Sequence, residues 1–137
     1  MIKIENSKLN DIANFLDRAE LSARVSRHRT KLLGSIGEVM VDLAKDEKKI
    51  ITDNGATIDE KGNIVGFPNE ESQLAAQKEL ADVKVEKSIF SERVEGQFSG
   101  LYHALDNYDK ALAGTEANAY DNVLEALEEG GYSEQNN

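Results

Sequence analysis

The sequence has no cysteine, no tryptophan and a single proline, Pro68. Without cysteine there can be no disulfide, and zinc or iron-sulfur sites built on thiolates are excluded. The only histidines are His28 and His103, and neither has a second histidine at i+4, so a zinc site would need carboxylates gathered from elsewhere in the chain. No apolar run approaches the roughly 18 residues that cross a bilayer. The opening Met1-Ile2-Lys3-Ile4-Glu5 also lacks the long apolar stretch of a secretory signal. No Walker-type loop or dinucleotide-binding glycine fingerprint occurs, and the expectation is a soluble protein that uses no cofactor and is not an enzyme.

What is present is acid. Asp and Glu number 26 against 16 Lys and Arg, a formal charge of -10. The imbalance is uneven: residues 1–50 carry ten basic and eight acidic residues, whereas residues 51–137 carry six and eighteen. A chain this acidic opposes the approach of nucleic acid, so direct nucleic-acid binding is disfavoured. A local basic patch can still act at short range, because charge is screened beyond about 8 Å at physiological ionic strength.

Periodicity predicts a mainly helical α+β fold in which residues 1–129 form one compact domain. Ile2 and Ile4 alternate with polar residues as a short strand, and Ser7 is placed to cap a helix whose apolar face is Leu9, Ile12, Phe15, Leu16 and Ala19. A long helix runs from about Ser22 to Ile50, interrupted by Gly34 and Gly37, which suit close packing against another element or a homodimer interface, with a kink as the second reading. Asp53-Asn54-Gly55 stops it, and a small hairpin follows around the turn Glu60-Lys61-Gly62-Asn63, where the regular ligand positions of a calcium loop are missing. Asn69 caps the next helix, with Leu74, Gln77 and Leu80 on one face, after which Val83, Val85 and Ile89 alternate as a strand able to pair with the first.

The C-terminal third reads as a helical hairpin. Phe98, Leu101, Leu105, Tyr108 and Leu112 mark its first helix, Gly114 ends that helix, and Thr115 caps the second, with Tyr120, Leu124 and Leu127 facing inward. Residues 130–137 are expected to form a flexible acidic and polar tail.

Two surfaces stand out as candidate sites. The segment Arg24-Val25-Ser26-Arg27-His28-Arg29-Thr30-Lys31 holds four basic residues and a histidine, with no acid between Glu20 and Glu38. It suits recognition of an anion, either nucleic-acid phosphate or acidic side chains of a partner protein, and it equally suits neutralisation of the chain's own acidic helices. The second surface is a row of carboxylates on the C-terminal hairpin: Asp106, Asp109, Glu116, Asp121, Glu125, Glu128 and Glu129. Pairs of acids arise readily in so acidic a chain, so a solvated face is the simpler reading than a catalytic dyad.

The opening Met1-Ile2-Lys3-Ile4-Glu5, the segment Ser26-Arg27-His28-Arg29-Thr30-Lys31-Leu32, and Tyr108-Asp109 with Tyr120-Asp121-Asn122-Val123-Leu124-Glu125-Ala126-Leu127-Glu128 resemble a family of short uncharacterised proteins. These are encoded by tailed phages and prophages of low-GC Gram-positive bacteria, often near tail and lysis genes. The resemblance implies a phage protein of the host cytoplasm or the virion, with no catalytic residue to carry over. It implies a non-enzymatic, protein-binding accessory of the tail region or of assembly, whose partner is a phage or host protein. The alternative is an acidic inhibitor that imitates DNA toward a host defence or nucleic-acid-binding protein.

Overall fold

A computed structural model describes residues 1–133 and is 65% helical. In chain order it comprises β1 (Ile2–Glu5), a 3-10 turn (Asn6–Lys8), α1 (Leu9–Arg18), α2 (Ala23–Asp53), β2 (Thr57–Ile58), β3 (Ile64–Gly66), α3 (Glu70–Val85), β4 (Lys87–Phe90), α4 (Gln97–Asp106) and α5 (Gly114–Glu129). The mainly helical α+β architecture, with its long second helix and minor sheets, is the one the periodicity predicts.

Four helices enclose the core. α1 packs on α2 and α5, and α4 closes the ring by packing on the same two helices. The apolar stripe of α1 (Leu9, Ile12, Phe15, Leu16) meets Leu32 and Ile36 of α2, Phe98, Leu101 and Leu105 of α4, and Val123 and Leu127 of α5, all of them buried. α4 and α5 run antiparallel, as their contacts require: Tyr120 Oη donates to the Leu105 carbonyl (2.7 Å) at one end, and Phe98 meets Tyr132 edge to face at the other. Near the first of these ends the rings of Phe15, Tyr108 and Tyr120 gather with centroids about 6 Å apart, a separation suited to edge-to-face contact.

Beyond Ile36, α2 buries no residue fully, and Val41 is largely exposed. This half of the helix extends past the core and carries the β2–β3 hairpin and α3 as a return arm. Asp59 organises the hairpin turn by accepting from the amides of Lys61 and Asn63, both at 2.9 Å. The expected cap of α3 is in place, with Asn69 Oδ1 accepting from the Ser72 amide at 2.7 Å. Helix α3 buries only Ala76, leaving Leu74 exposed.

The strand after α3 pairs antiparallel with β1 as the alternation suggests, with Ile2 opposite Phe90 and Ile4 opposite Ser88. Its limits and facing differ from the reading. Val83 and Val85 belong to α3, whose last turn is held by Asn6 Nδ2 donating to the Val83 carbonyl (2.9 Å), and the buried side chain of the strand is Phe90 while Ile89 faces out. Alternation at three positions was overridden by helix propagation and by this tertiary bond.

Other boundaries shift for similar reasons. Ser7 does not cap α1; it lies in the 3-10 turn and donates to Glu5 Oε2 at 2.6 Å. α4 ends at Asp106, so Tyr108 and Leu112 pack on the core from the connection to α5, which starts at Gly114 with Thr115 inside its first turn. Gly34 lies 3.5 Å from Arg93 when given a Cβ, whereas Gly37 faces open space, so the pair is not a packing notch between elements.

The expected tail is docked at its start. Gly131, at φ +92°, donates to the Glu128 carbonyl and Tyr132 to that of Leu127, each at 3.0 Å, the two reverse bonds of a Schellman cap. Tyr132 then accepts from the Met1 amino group at 2.8 Å. Residues 134–137 of the expected tail lie outside the described residues. No helix among the described residues is long and apolar enough to cross a membrane.

Two outcomes follow from this packing. A Cβ on Gly130 would fall 2.8 Å from the Met1 carbonyl oxygen and 2.9 Å from Ile2 Cγ2, so Gly130→Ala is expected to destabilise by about 1–3 kcal/mol in urea unfolding. Burial raises the pKa of Tyr120, assisted by Asp106, Asp121 and Glu128, and burial raises that of Tyr132, assisted by Glu92. The folded chain therefore holds both phenolic protons more tightly than the unfolded chain. Their contribution is complete below the ordinary tyrosine pKa of about 10 and declines as pH rises through the raised folded values. Thermal melts between neutral and strongly alkaline pH should show this decline, with a shallower slope in Tyr120→Phe.

Candidate functional site

The first turns of α2 position the basic segment, and the helical period divides it. Arg24, Arg27, His28 and Lys31 fall on one side, and Arg29 is displaced by well over a quarter turn toward α1. Arg29 donates through Nη1 to the carbonyls of Leu16 (2.7 Å) and Ala19 (2.9 Å) and through Nη2 to Ser26 Oγ (2.6 Å). Its cation thus sits where the last carbonyls of α1 concentrate negative potential. Arg29 leaves the candidate surface and becomes a clamp between α1 and α2. Its partners are two backbone carbonyls and the Ser26 hydroxyl, neither a foreign group nor the acidic helices.

His28 forms the junction with α4. Its carbonyl accepts from the buried Gln97 side chain (3.3 Å), whose other end accepts from the Arg93 amide (2.7 Å). The imidazole lies against Gly100 so closely that a Cβ there would be 3.1 Å from His28 Cδ2. His28 Nδ1 is buried with no partner among the described residues. The small residue that lets helices approach is therefore Gly100, on α4, in place of the expected Gly34 and Gly37.

Between these helices opens a cleft of about 490 Å³, with Arg24, Arg27, His28 and Lys31 on one wall and Val94, Glu95, Gly96 and Gly100 on the other. A shallower depression of about 200 Å³ lies along Ser26, Arg27, Thr30 and Lys31. Arg27 and Lys31 line both hollows. The start of α4 offers little to an anion, because the Phe98 amide donates to Glu92 Oε1 (3.0 Å) and the Gln97 amide to the Val94 carbonyl (3.2 Å). Any anion taken here is held by the α2 side chains.

Arg24, Arg27 and Lys31 form no ion pair with a carboxylate among the described residues. The cations that do are others: Arg18 with Glu116 (3.3 Å), Arg93 with Glu38 (2.8 Å), Lys110 with Glu20 (3.5 Å) and Lys49 with Asp53 (2.8 Å). Self-neutralisation by the C-terminal acids thus involves Arg18, outside the basic segment.

The acidic row is not one surface. Glu116 is half-buried beside Arg18, and Glu125 and Glu129 border a groove of about 280 Å³ shared with Lys3, Lys8 and Lys87. Asp106, Asp121 and Glu128 act on Tyr120, while Asp109 lies exposed in the connection before α5. His103 is exposed on α4, and among the described residues no group of three His, Asp or Glu side chains is placed to hold a metal ion. The α4 wall of the cleft escaped sequence reasoning, because Gly96 and Gly100 look like ordinary helix glycines until α4 is placed against α2.

Replacing Arg29 by Gln should cost about 1.5–3 kcal/mol, since charge-assisted hydrogen bonds to partly buried carbonyls are lost. Arg24→Gln, Arg27→Gln and Lys31→Gln should each stay within about 0.5 kcal/mol, as surface changes without partners do. Urea unfolding of the four single variants separates clamp from free surface.

No family model, no curated protein and no solved structure matches this chain.

Proposed function

We propose that this chain is a non-enzymatic, protein-binding accessory of a tailed phage, acting in the tail region or in assembly, and that it grips an acidic partner surface through Arg24, Arg27 and Lys31. One observation carries the binding surface: in a chain of net charge -10, these three cations stand beside an open cleft with no carboxylate paired to them among the described residues. The phage setting rests on the sequence resemblance.

The partner is a protein on electrostatic grounds. A long polyanion would meet the field of the whole acidic molecule, whereas an acidic protein patch needs to match only the stripe, within the screening length of about 8 Å. Arg24 to Lys31 spans about 10.5 Å along the helix axis, the length of two turns of a partner helix. What supports binding over catalysis is the chemistry of the cleft: three cations, a histidine buried at Nδ1 and one carboxylate, with the nearby Ser26 hydroxyl held by Arg29. The DNA-imitation reading has less behind it. It needs an unbroken row of unpaired acids, and Glu116 of the row is paired with Arg18.

The experiment is affinity capture from phage-infected cells with the wild type and the triple variant Arg24→Gln/Arg27→Gln/Lys31→Gln, with bound proteins identified by mass spectrometry. Exposed charge pairs contribute about 0.2–1 kcal/mol each, so the variant should lose roughly threefold to a hundredfold in affinity for a phage protein while keeping its melting temperature. Identical capture by both proteins would refute the stripe as the binding surface. Host nucleic-acid-binding proteins lost only when the α5 acids are replaced would favour DNA imitation instead.

A further inference from the structure

The charges at two helix ends have the wrong sign for their own helices. α2 has no acid in its first turn and begins its basic stripe there with Arg24, although a helix N-terminus favours anions. α5 has no base in its last turn and carries Glu128 and Glu129 there, although a helix C-terminus favours cations. Each arrangement is unfavourable alone, and neither is relieved by an ion pair to Arg24, Glu128 or Glu129 among the described residues.

The two ends also match in register. Along α2 the unpaired cations Arg24, Arg27 and Lys31 are separated by three and then four residues. Read backward along α5, the exposed acids Glu128, Glu125 and Asp121 are separated by three and then four. Both sets span about 10.5 Å on rigid helices. Laid antiparallel, Arg24 faces Glu128, Arg27 faces Glu125 and Lys31 faces Asp121, and the positive end of one helix dipole meets the negative end of the other. A parallel alignment puts the middle pair out of step by one residue.

We infer that a second copy of this chain is a partner of the basic stripe, docking the Asp121–Glu125–Glu128 face of its α5 against Arg24, Arg27 and Lys31 of the first. The inference rests on the proposed use of that stripe as a protein-binding surface. The two faces are different surfaces of one molecule, so the contact is head to tail and propagates into a ring or an open chain. Every pair in it is charged, and all the partners but the half-buried Lys31 are exposed, which makes the association salt-sensitive.

The test is light scattering on the purified full chain over a range of concentrations, at about 0.1 M and about 1 M salt, where the Debye length is about 10 and about 3 Å. At the lower salt the mass should rise with concentration above the 15.1 kDa of one chain, and at the higher salt the association should weaken at least tenfold. The variants Arg24→Glu/Arg27→Glu/Lys31→Glu and Asp121→Lys/Glu125→Lys/Glu128→Lys should each remain at monomer mass. Mixed in equal amounts they should associate again, because one retains the native stripe and the other the native acidic face; that recovery also shows that both are folded. A wild type at monomer mass throughout, a variant that still assembles alone, or a mixture that stays monomeric would overturn the inference. Capture of a phage protein by a wild type that never self-associates would overturn it while leaving the proposed function standing.

Discussion

With Leu32 and Ile36 fully buried and Arg29 bonded to the carbonyls of Leu16 and Ala19, α2 cannot turn about its own axis. That fixed rotation is the constraint on which the molecular surface depends. It places Val25 and Leu33 against the core, aims Arg24, Arg27 and Lys31 outward, and brings His28 to Gly100, where the helices approach closely. A rotation of one residue, about 100°, would carry the stripe into the α1 interface and leave three cations desolvated without anions. The clamp and the stripe are alternate products of the same run of arginines, sorted by helical phase.

The second constraint is the meeting of the chain's two ends. Gly130 allows the Met1 carbonyl to lie where a side chain would otherwise stand, and the reverse bonds after α5 turn Tyr132 back onto Phe98 and the Met1 amino group. β1 is thereby held against α5 as well as β4. This closure fixes α5 from its C-terminal end, as Tyr120 fixes it from the other through Leu105. The acidic residues of α5 are therefore carried on a helix secured at both ends, so their spacing is a property of the fold.

Wherever a single element decides its own form, the sequence was readable. The stripes of α1 and α2, the Asn69 cap and the alternation of β1 could all be seen in local spacing, whereas the partner of β1 could not. Boundaries settled by distant groups could not. Val83 is helical because Asn6 holds its carbonyl, and Tyr108 leaves the helix because its ring lies with Phe15 and Tyr120. At the candidate site the cationic wall was legible from residue types, but Arg29 stood among the candidates until its bonds to the Leu16 and Ala19 carbonyls removed it. The opposite wall was not, since Gly96 and Gly100 acquire meaning only once Gln97 has tied α4 to α2. The pairing within the acidic row was not legible for the complementary reason: charge counted along a helix says nothing of the Arg18 that α1 brings to Glu116.

Association between copies of a chain with net charge -10 is opposed by its own field. Screening removes most of that opposition, because charges farther apart than about 8 Å hardly interact at physiological ionic strength. What survives is local, and locally the stripe and the acidic face have opposite sign. Since exposed pairs are individually weak, three of them direct association only if they engage together, which requires a common spacing on rigid supports. The antiparallel three-four register of α2 and α5 meets that requirement, and the dipoles of both helices add to it with the sign that each helix lacks on its own. Contacts of this kind fix orientation and rate more than strength.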